Sequence, residues 1–151
     1  MKSIPGDLIH LAKSGEFDLI VHGCNCFCTM GAGIAKGIKA AFPAAFEADL
    51  ATARGDRTKL GTCTFAEIDR DGTVLIVANA YTQFDYRGIG PKVDYDAVRF
   101  CIRWIQQRHS GKRIGIPKIG AGLAGGDWAR IAAILEEELA GEDVTLVQFS
   151  P

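Results

Sequence analysis

The chain has 151 residues, 48% hydrophobic and 23% charged, which is the composition of one globular domain spanning residues 1–151. Seventeen basic against eighteen acidic side chains give a formal charge of −1, which argues against bulk nucleic-acid binding but leaves room for a small anion held by backbone N–H groups. An odd cysteine count of five, an opening segment with Pro5, Gly6 and Asp7 in place of an apolar leader, and no long apolar run predict a cytoplasmic protein with no membrane partner.

Phe17–His22 is the first strong strand signal, a continuous apolar run of the kind buried in a parallel or mixed sheet. It leads into a loop of small residues, Gly23–Gly33, and then a helix with Ile34, Ala35, Ile38, Ala41 and Phe42 on one face. Pro43 stops that helix and suits the first turn of another, which carries Phe46 and Leu50 and ends near Gly55. Strands are predicted at Thr62–Ile68 and Val74–Asn79, joined by an Asp71-Gly72 turn. Asp94 suits the N-cap of a helix reaching about Arg108, with Ala97, Val98, Cys101, Ile102 and Ile105 inward. The strand Arg113–Ile119 then enters a second glycine loop, Gly120–Gly126. Asp127 caps a helix with Trp128, Ile131, Ala132, Leu135 and Leu139 on one face, and Gly141 closes it. Val144–Phe149 is the last strand. This alternation predicts an α/β fold of three layers, α/β/α, with a mixed central sheet.

Two segments share the layout of apolar strand, glycine loop and helix. Ligands of open α/β sheets sit beyond the carboxyl ends of strands, where such loops lie. Glycine lets the backbone approach a ligand, successive N–H groups form a concavity, and the helix start adds unpaired N–H groups and a positive dipole end. Either loop alone is equally a tight turn, but two in one small domain favour a clamp on a phosphate pair. Gly120, Gly122 and Gly125 also spell G-x-G-x-x-G. A dinucleotide-binding unit of that type needs an acidic residue ending the next strand. Here the next strand ends Gln148-Phe149, and Glu142 and Asp143 precede it, so that reading fails. No phosphate-loop GK[ST] pattern supports an NTPase either.

Gly6-Asp7-Leu8, His22-Gly23-Cys24-Asn25-Cys26, Met30-Gly31-Ala32-Gly33-Ile34-Ala35 and Gly120-Ala121-Gly122-Leu123 together resemble the macrodomain family over essentially the whole chain. The resemblance is greatest to the branch of the ADP-ribose-1''-phosphate phosphatase and the terminal ADP-ribose glycohydrolases. It implies an ADP-ribose cleft that needs no metal or organic cofactor. Asp7 would accept from the adenine amino group beside the backbone of Leu8, and Phe149 would pack on the base. Gly31, Ala32, Gly33, Ile34 and Ala35, facing Gly120, Ala121, Gly122, Leu123 and Ala124, would hold the diphosphate and the distal ribose, with Asn25 toward that ribose. The glycohydrolase branch uses a Lys just after the third long strand as nucleophile. The matching stretch here, Asn79–Phe84, contains none, and Lys118 does not match that position. Met1–Ile4 is also shorter than the family's usual first strand.

Three residues are candidates for catalysis, each with a structural alternative. Asp127 is a general base for a water near the distal ribose, or only an N-cap. His22 is a phosphate donor or proton shuttle, or a buried structural imidazole. Asn25 orients a hydroxyl or water, or makes a turn. Cys24, Cys26 and Cys28 with His22 lack the spaced knuckles of a zinc site and read as small buried residues. Tyr81, Phe84 and Tyr86 either line the cleft or cover the core edge. The expected activity is hydrolysis of ADP-ribose derivatives, most concretely ADP-ribose 1''-phosphate, with water as nucleophile and electrostatic help from the N–H loops. The alternatives are a glycohydrolase acting on ADP-ribosylated protein or nucleic acid, and a non-catalytic ADP-ribose reader.

Overall fold

In a computed structural model, residues 1–150 are described; Pro151, the last residue of the predicted domain, lies outside them. The elements are β1 (Lys2–Gly6), α1 (Leu8–Lys13), β2 (Leu19–Cys24), α2 (Gly33–Ala41), α3 (Pro43–Leu50), a short 3-10 turn (Arg57–Lys59), β3 (Cys63–Arg70), β4 (Thr73–Tyr81), α4 (Tyr95–His109), β5 (Arg113–Ile116), α5 (Trp128–Glu138) and β6 (Asp143–Phe149). The strands form one six-stranded sheet in the order β1-β6-β5-β2-β4-β3. Every pairing is parallel except the β3–β4 hairpin, which makes the sheet mixed as predicted.

Both faces of the sheet are covered, which gives the three layers. Along β2 and β4 the side chains alternate: Leu19, Val21, Ile76, Ala78 and Ala80 join the core under α4 and α5. Ile20, Leu75 and Val77 join the opposite core under α1, α2 and α3. The face predicted for α4 is buried throughout, and Asp94 caps it by accepting from the Ala97 N–H at 2.9 Å.

Several boundaries move for local reasons. The first strong strand is shifted to Leu19–Cys24, because Phe17 is a core residue preceding the ladder, with its ring against Gly115. β5 stops at Ile116 because Pro117 has no N–H for the ladder. In α3 the buried residues are Ala45 and Asp49, while Leu50 faces solvent and the helix ends there and not near Gly55. A buried aspartate was not expected at that position, and it is paired through the network described below.

The parallel strands all end at one edge, so the loops after β1, β2, β4 and β5 and the end of β6 cluster there. β2 and β5 pair at only two positions, Leu19 with Ile114 and Ile20 with Gly115, and then part. Beyond that point the sheet opens into a cleft.

Candidate functional site

The cleft has a volume of about 800 Å³ and is walled by the two glycine loops. Gly31–Ala35 form one wall, and Gly120, Gly122, Leu123 and Ala124 the other. Ala121 does not line it but packs toward the core. The floor is built from Gly23, Asn25, Thr82 and Ile119.

The first wall presents unpaired donors. Ala32 is the N-cap of α2 and has no side-chain acceptor, so the N–H groups of Gly33, Ile34 and Ala35 have no partner among the described residues. Gly33 sits at φ 58°, and a Cβ there would come within 3.2 Å of Leu123 from the opposite loop. The walls therefore meet at Gly33 and Leu123.

The second wall is shaped by a strap, Pro91–Asp94, which crosses behind it. Lys92 N–H donates to Ala124 O at 2.6 Å, and Asp94 N–H donates to Thr82 O at 2.8 Å. A Cβ on Gly126 would lie 2.5 Å from Gly120 O and 2.6 Å from Val93, and one on Gly120 would lie 2.8 Å from Val93. Gly120 and Gly126 thus make room for protein and not for a ligand. Gly122 differs: it meets nothing within 4 Å and faces the cleft. The N–H groups of Gly122, Leu123 and Ala124 also have no acceptor among the described residues.

The family model for the Macro domain matches residues 21–135. A 17.5 kDa protein of the tk–vs intergenic region of Enterobacteria phage T4 is 36% identical over 156 residues, covering all of this chain and 97% of the relative. The chain belongs to the macrodomain family. Among solved structures, the macrodomain of Mycobacterium tuberculosis DarG superposes with a TM-score of 0.74 at 22% identity, covering 99% of this chain and 97% of that one. Thermosipho africanus DarTG, solved in complex with ADP-ribose, gives a TM-score of 0.72 at 16% identity, covering 100% of this chain and 42% of that one.

In this macrodomain the residues expected to hold the base lie apart from the cleft walls, on the β1/β6 side of the sheet. Asp7 caps α1, its Oδ1 accepting from Ile9 N–H at 2.9 Å and His10 N–H at 3.1 Å. Its Oδ2 takes part in neither bond. Leu8 is a core residue. Phe149 pairs in register with Gly6, the residue before Asp7, and is 76% exposed. The structure therefore brings an open aromatic face and a carboxylate to one sheet end.

The three candidate catalytic residues, His22, Asp127 and Asn25, sit in three different settings. His22 is fully buried and does not line the cleft; its Nε2 is 2.7 Å from Asn79 Oδ1. Burial pulls its pKa to about 4, against the opposing effect of the Asn79 hydrogen bond, so the imidazole is neutral and has no access to a phosphate. Asp127 also lies outside the cleft lining and accepts from Ala129 N–H at 3.0 Å as the N-cap of α5. Asn25 does line the cleft, but its side chain is occupied: Oδ1 accepts from Phe27 N–H at 2.8 Å and Nδ2 donates to Thr29 Oγ1 at 2.8 Å. It shapes the turn after β2. Among the described residues no Asp, Glu or His lines the cleft.

A polar chain lies beneath the floor. Asn79 Nδ2 donates to Ala45 O at 2.9 Å and to Thr64 Oγ1 at 3.1 Å, and Thr64 Oγ1 meets Tyr81 OH at 3.0 Å. Tyr81 OH donates to Asp49 Oδ1 at 2.8 Å. Desolvation raises the Asp49 pKa, opposed by the Tyr81 bond and the nearby Lys59 charge. The three clustered thiols diverge: Cys24 Sγ faces His22, Cys26 Sγ the Gln83 carbonyl at 3.6 Å, and Cys28 Sγ the Asp49 carbonyl at 3.3 Å.

Of the aromatic trio, Tyr86 lines the cleft, Tyr81 is buried beneath it, and Phe84 packs with Tyr81 and under the Arg57 guanidinium. Lys92, Lys118 and Gln83 also line the cleft and carry the polar chemistry that sequence reasoning did not assign. Lys92 and Gln83 stand on the long β4–α4 connection, where no periodicity marks which side chains turn inward.

Proposed function

We propose that this macrodomain binds ADP-ribose and its derivatives. The observation that carries the reading is the pair of unpaired amide runs, Gly33–Ala35 and Gly122–Ala124, facing one another across the gap between β2 and β5. Such donors suit a diphosphate without needing a basic chain, and Lys92 and Lys118 add positive charge at the same cleft. Asp7 and Phe149 at the β1/β6 end supply a carboxylate and an aromatic face for adenine. The span from β1 to β4 is four interstrand spacings, about 19 Å, room for a base, a ribose, a diphosphate and a second ribose in line. The ADP-ribose complex of the Thermosipho relative supports the same ligand.

Hydrolysis of ADP-ribose 1''-phosphate is the finer reading, and Lys92 and Lys118 favour it. Amides and ammonium groups stabilise charge developing on a transferring phosphoryl group, with water as nucleophile. With no Asp, Glu or His at the cleft lining among the described residues, this catalysis would be electrostatic. The glycohydrolase alternative has no lysine in Asn79–Phe84 to serve as nucleophile. Calorimetric titration with ADP-ribose, followed by phosphate release from ADP-ribose 1''-phosphate, tests both levels. Binding with release that falls in Lys118→Ala supports the phosphatase; binding without release leaves a reader.

A further inference from the structure

We infer that the chain carries a second ligand site, a cationic pocket outside the cleft that takes a terminal phosphate group, free or as a monoester. The site stands on its own residues and does not depend on the ADP-ribose reading.

The pocket has a volume of about 390 Å³, within the range of pockets that hold small ligands. It shares only Lys92 with the cleft, so the strap Pro91–Asp94 divides the two. Its other cations come from elements far apart in sequence. Arg57 opens the 3-10 turn before β3, and Arg130 stands in the first turn of α5.

Each arginine lies on an aromatic ring. The Arg57 guanidinium is 3.9 Å from the centroid of Phe84, and the Arg130 guanidinium is 3.8 Å from that of Tyr95. Both rings are held in turn: Phe84 meets Phe27 edge-on at 5.1 Å, and Tyr95 OH accepts from the Asp127 N–H at 3.0 Å. Stacking fixes a guanidinium plane while its N–H edge stays available.

Neither arginine forms an ion pair among the described residues, whereas Arg87, Arg99, Arg103 and Arg113 each meet a carboxylate at 3.0 Å or less. Partners were at hand, since Asp94 and Asp96 also line the pocket. Asp94 Oδ1 is instead committed to the Ala97 N–H as the cap of α4. Two arginines pre-positioned by stacking and left unpaired beside carboxylates suit an anion from outside the chain.

A terminal phosphate matches this set best. It offers three oxygens and close to two negative charges at neutral pH, and a guanidinium fork grips two oxygens at once. A carboxylate or a phosphodiester offers two free oxygens and a single charge. With Arg57, Arg130 and Lys92 against two carboxylates, the lining keeps a positive excess that favours the doubly charged group.

The test is residue-resolved NMR titration with phenyl phosphate, orthophosphate and dimethyl phosphate, each with and without ADP-ribose. Phenyl phosphate and orthophosphate should shift the side-chain Nε–H signals of Arg57 and Arg130 and the amide of Tyr95, including when ADP-ribose is present. Affinity should fall more than about tenfold in the Arg57→Gln/Arg130→Gln double variant. Arg108→Gln removes one charge about 20 Å along α4 from Tyr95 and should change affinity less than about twofold. Tighter phenyl phosphate identifies an ester as the source and tighter orthophosphate the free ion; both support the site. Shifts confined to Gly33–Ala35 and Gly122–Ala124, an unchanged affinity in the double variant, an equal loss in Arg108→Gln, or dimethyl phosphate binding as tightly as phenyl phosphate overturns the assignment.

Discussion

His22 Nε2 and Asn79 Oδ1 lie 2.7 Å apart on adjacent parallel strands, both fully buried. Asn79 Nδ2 donates to Ala45 O and Thr64 Oγ1, so its oxygen end faces His22 and the imidazole carries its proton on Nε2. A histidine beside the cleft is thereby a neutral tie between β2 and β4.

That tie has a pH signature. The folded pKa of about 4 lies below the ordinary 6.5, so the unfolded chain binds the extra proton between those values. Stability from this group is complete above about pH 6.5 and falls as pH drops toward 4, by about 3 kcal/mol in all. Asp49, with its raised pKa, acts in the opposite direction as pH rises. Comparing urea unfolding of the wild type and His22→Gln from pH 4 to 7 isolates the histidine contribution. The wild type should lose stability relative to the variant on acidification; parallel curves would refute the neutral assignment.

Tyr81→Phe removes the donor to Asp49 Oδ1 in a place where Asp49 Oδ2 already has no partner among the described residues. The expected loss is about 2 kcal/mol of folding stability. ADP-ribose affinity should remain within a factor of two, since Tyr81 lies beneath the floor and not at the lining. Denaturant melts and a binding isotherm on one preparation check both halves.

Asp127 separates a cap from a base. Asp127→Ala should lower stability by about 1 kcal/mol, whereas Asp127→Asn, which still accepts from Ala129 N–H, should keep it. Neither change should alter phosphate release from ADP-ribose 1''-phosphate at saturating substrate. A release rate abolished in Asp127→Asn with stability intact would restore the general-base role.

The two glycines of the second wall should respond oppositely. Gly126→Ala places a methyl 2.5 Å from Gly120 O, a backbone atom that cannot swing aside as the nearby Val93 and Ile131 side chains can. A destabilisation of about 1–3 kcal/mol is expected. Gly122→Ala meets nothing within 4 Å, so the melting temperature should hold while the methyl enters the cleft and weakens nucleotide binding.

Much of the architecture was legible in the sequence because local signals agreed with the packing. Asp94 and Asp127 cap the helices they were expected to cap, and the α4 stripe from Ala97 to Ile105 is the buried face. The two glycine loops do face each other. What could not be read is which glycine serves which neighbour: Gly120 and Gly126 yield to Val93, a contact between segments distant in sequence. The same holds for His22 and Asp127, whose residue types suit catalysis but whose partners, Asn79 and Ala129, are visible only in the fold.

The central claim is that unpaired backbone amides hold the ligand, and amide-resolved NMR titration with ADP-ribose tests it most directly. The largest shifts in nitrogen–proton correlation spectra should fall on Gly33, Ile34, Ala35, Gly122, Leu123 and Ala124, with micromolar saturation worth about −8 kcal/mol. Spectra unchanged at millimolar ADP-ribose, or shifts confined to residues away from these two walls, would contradict it.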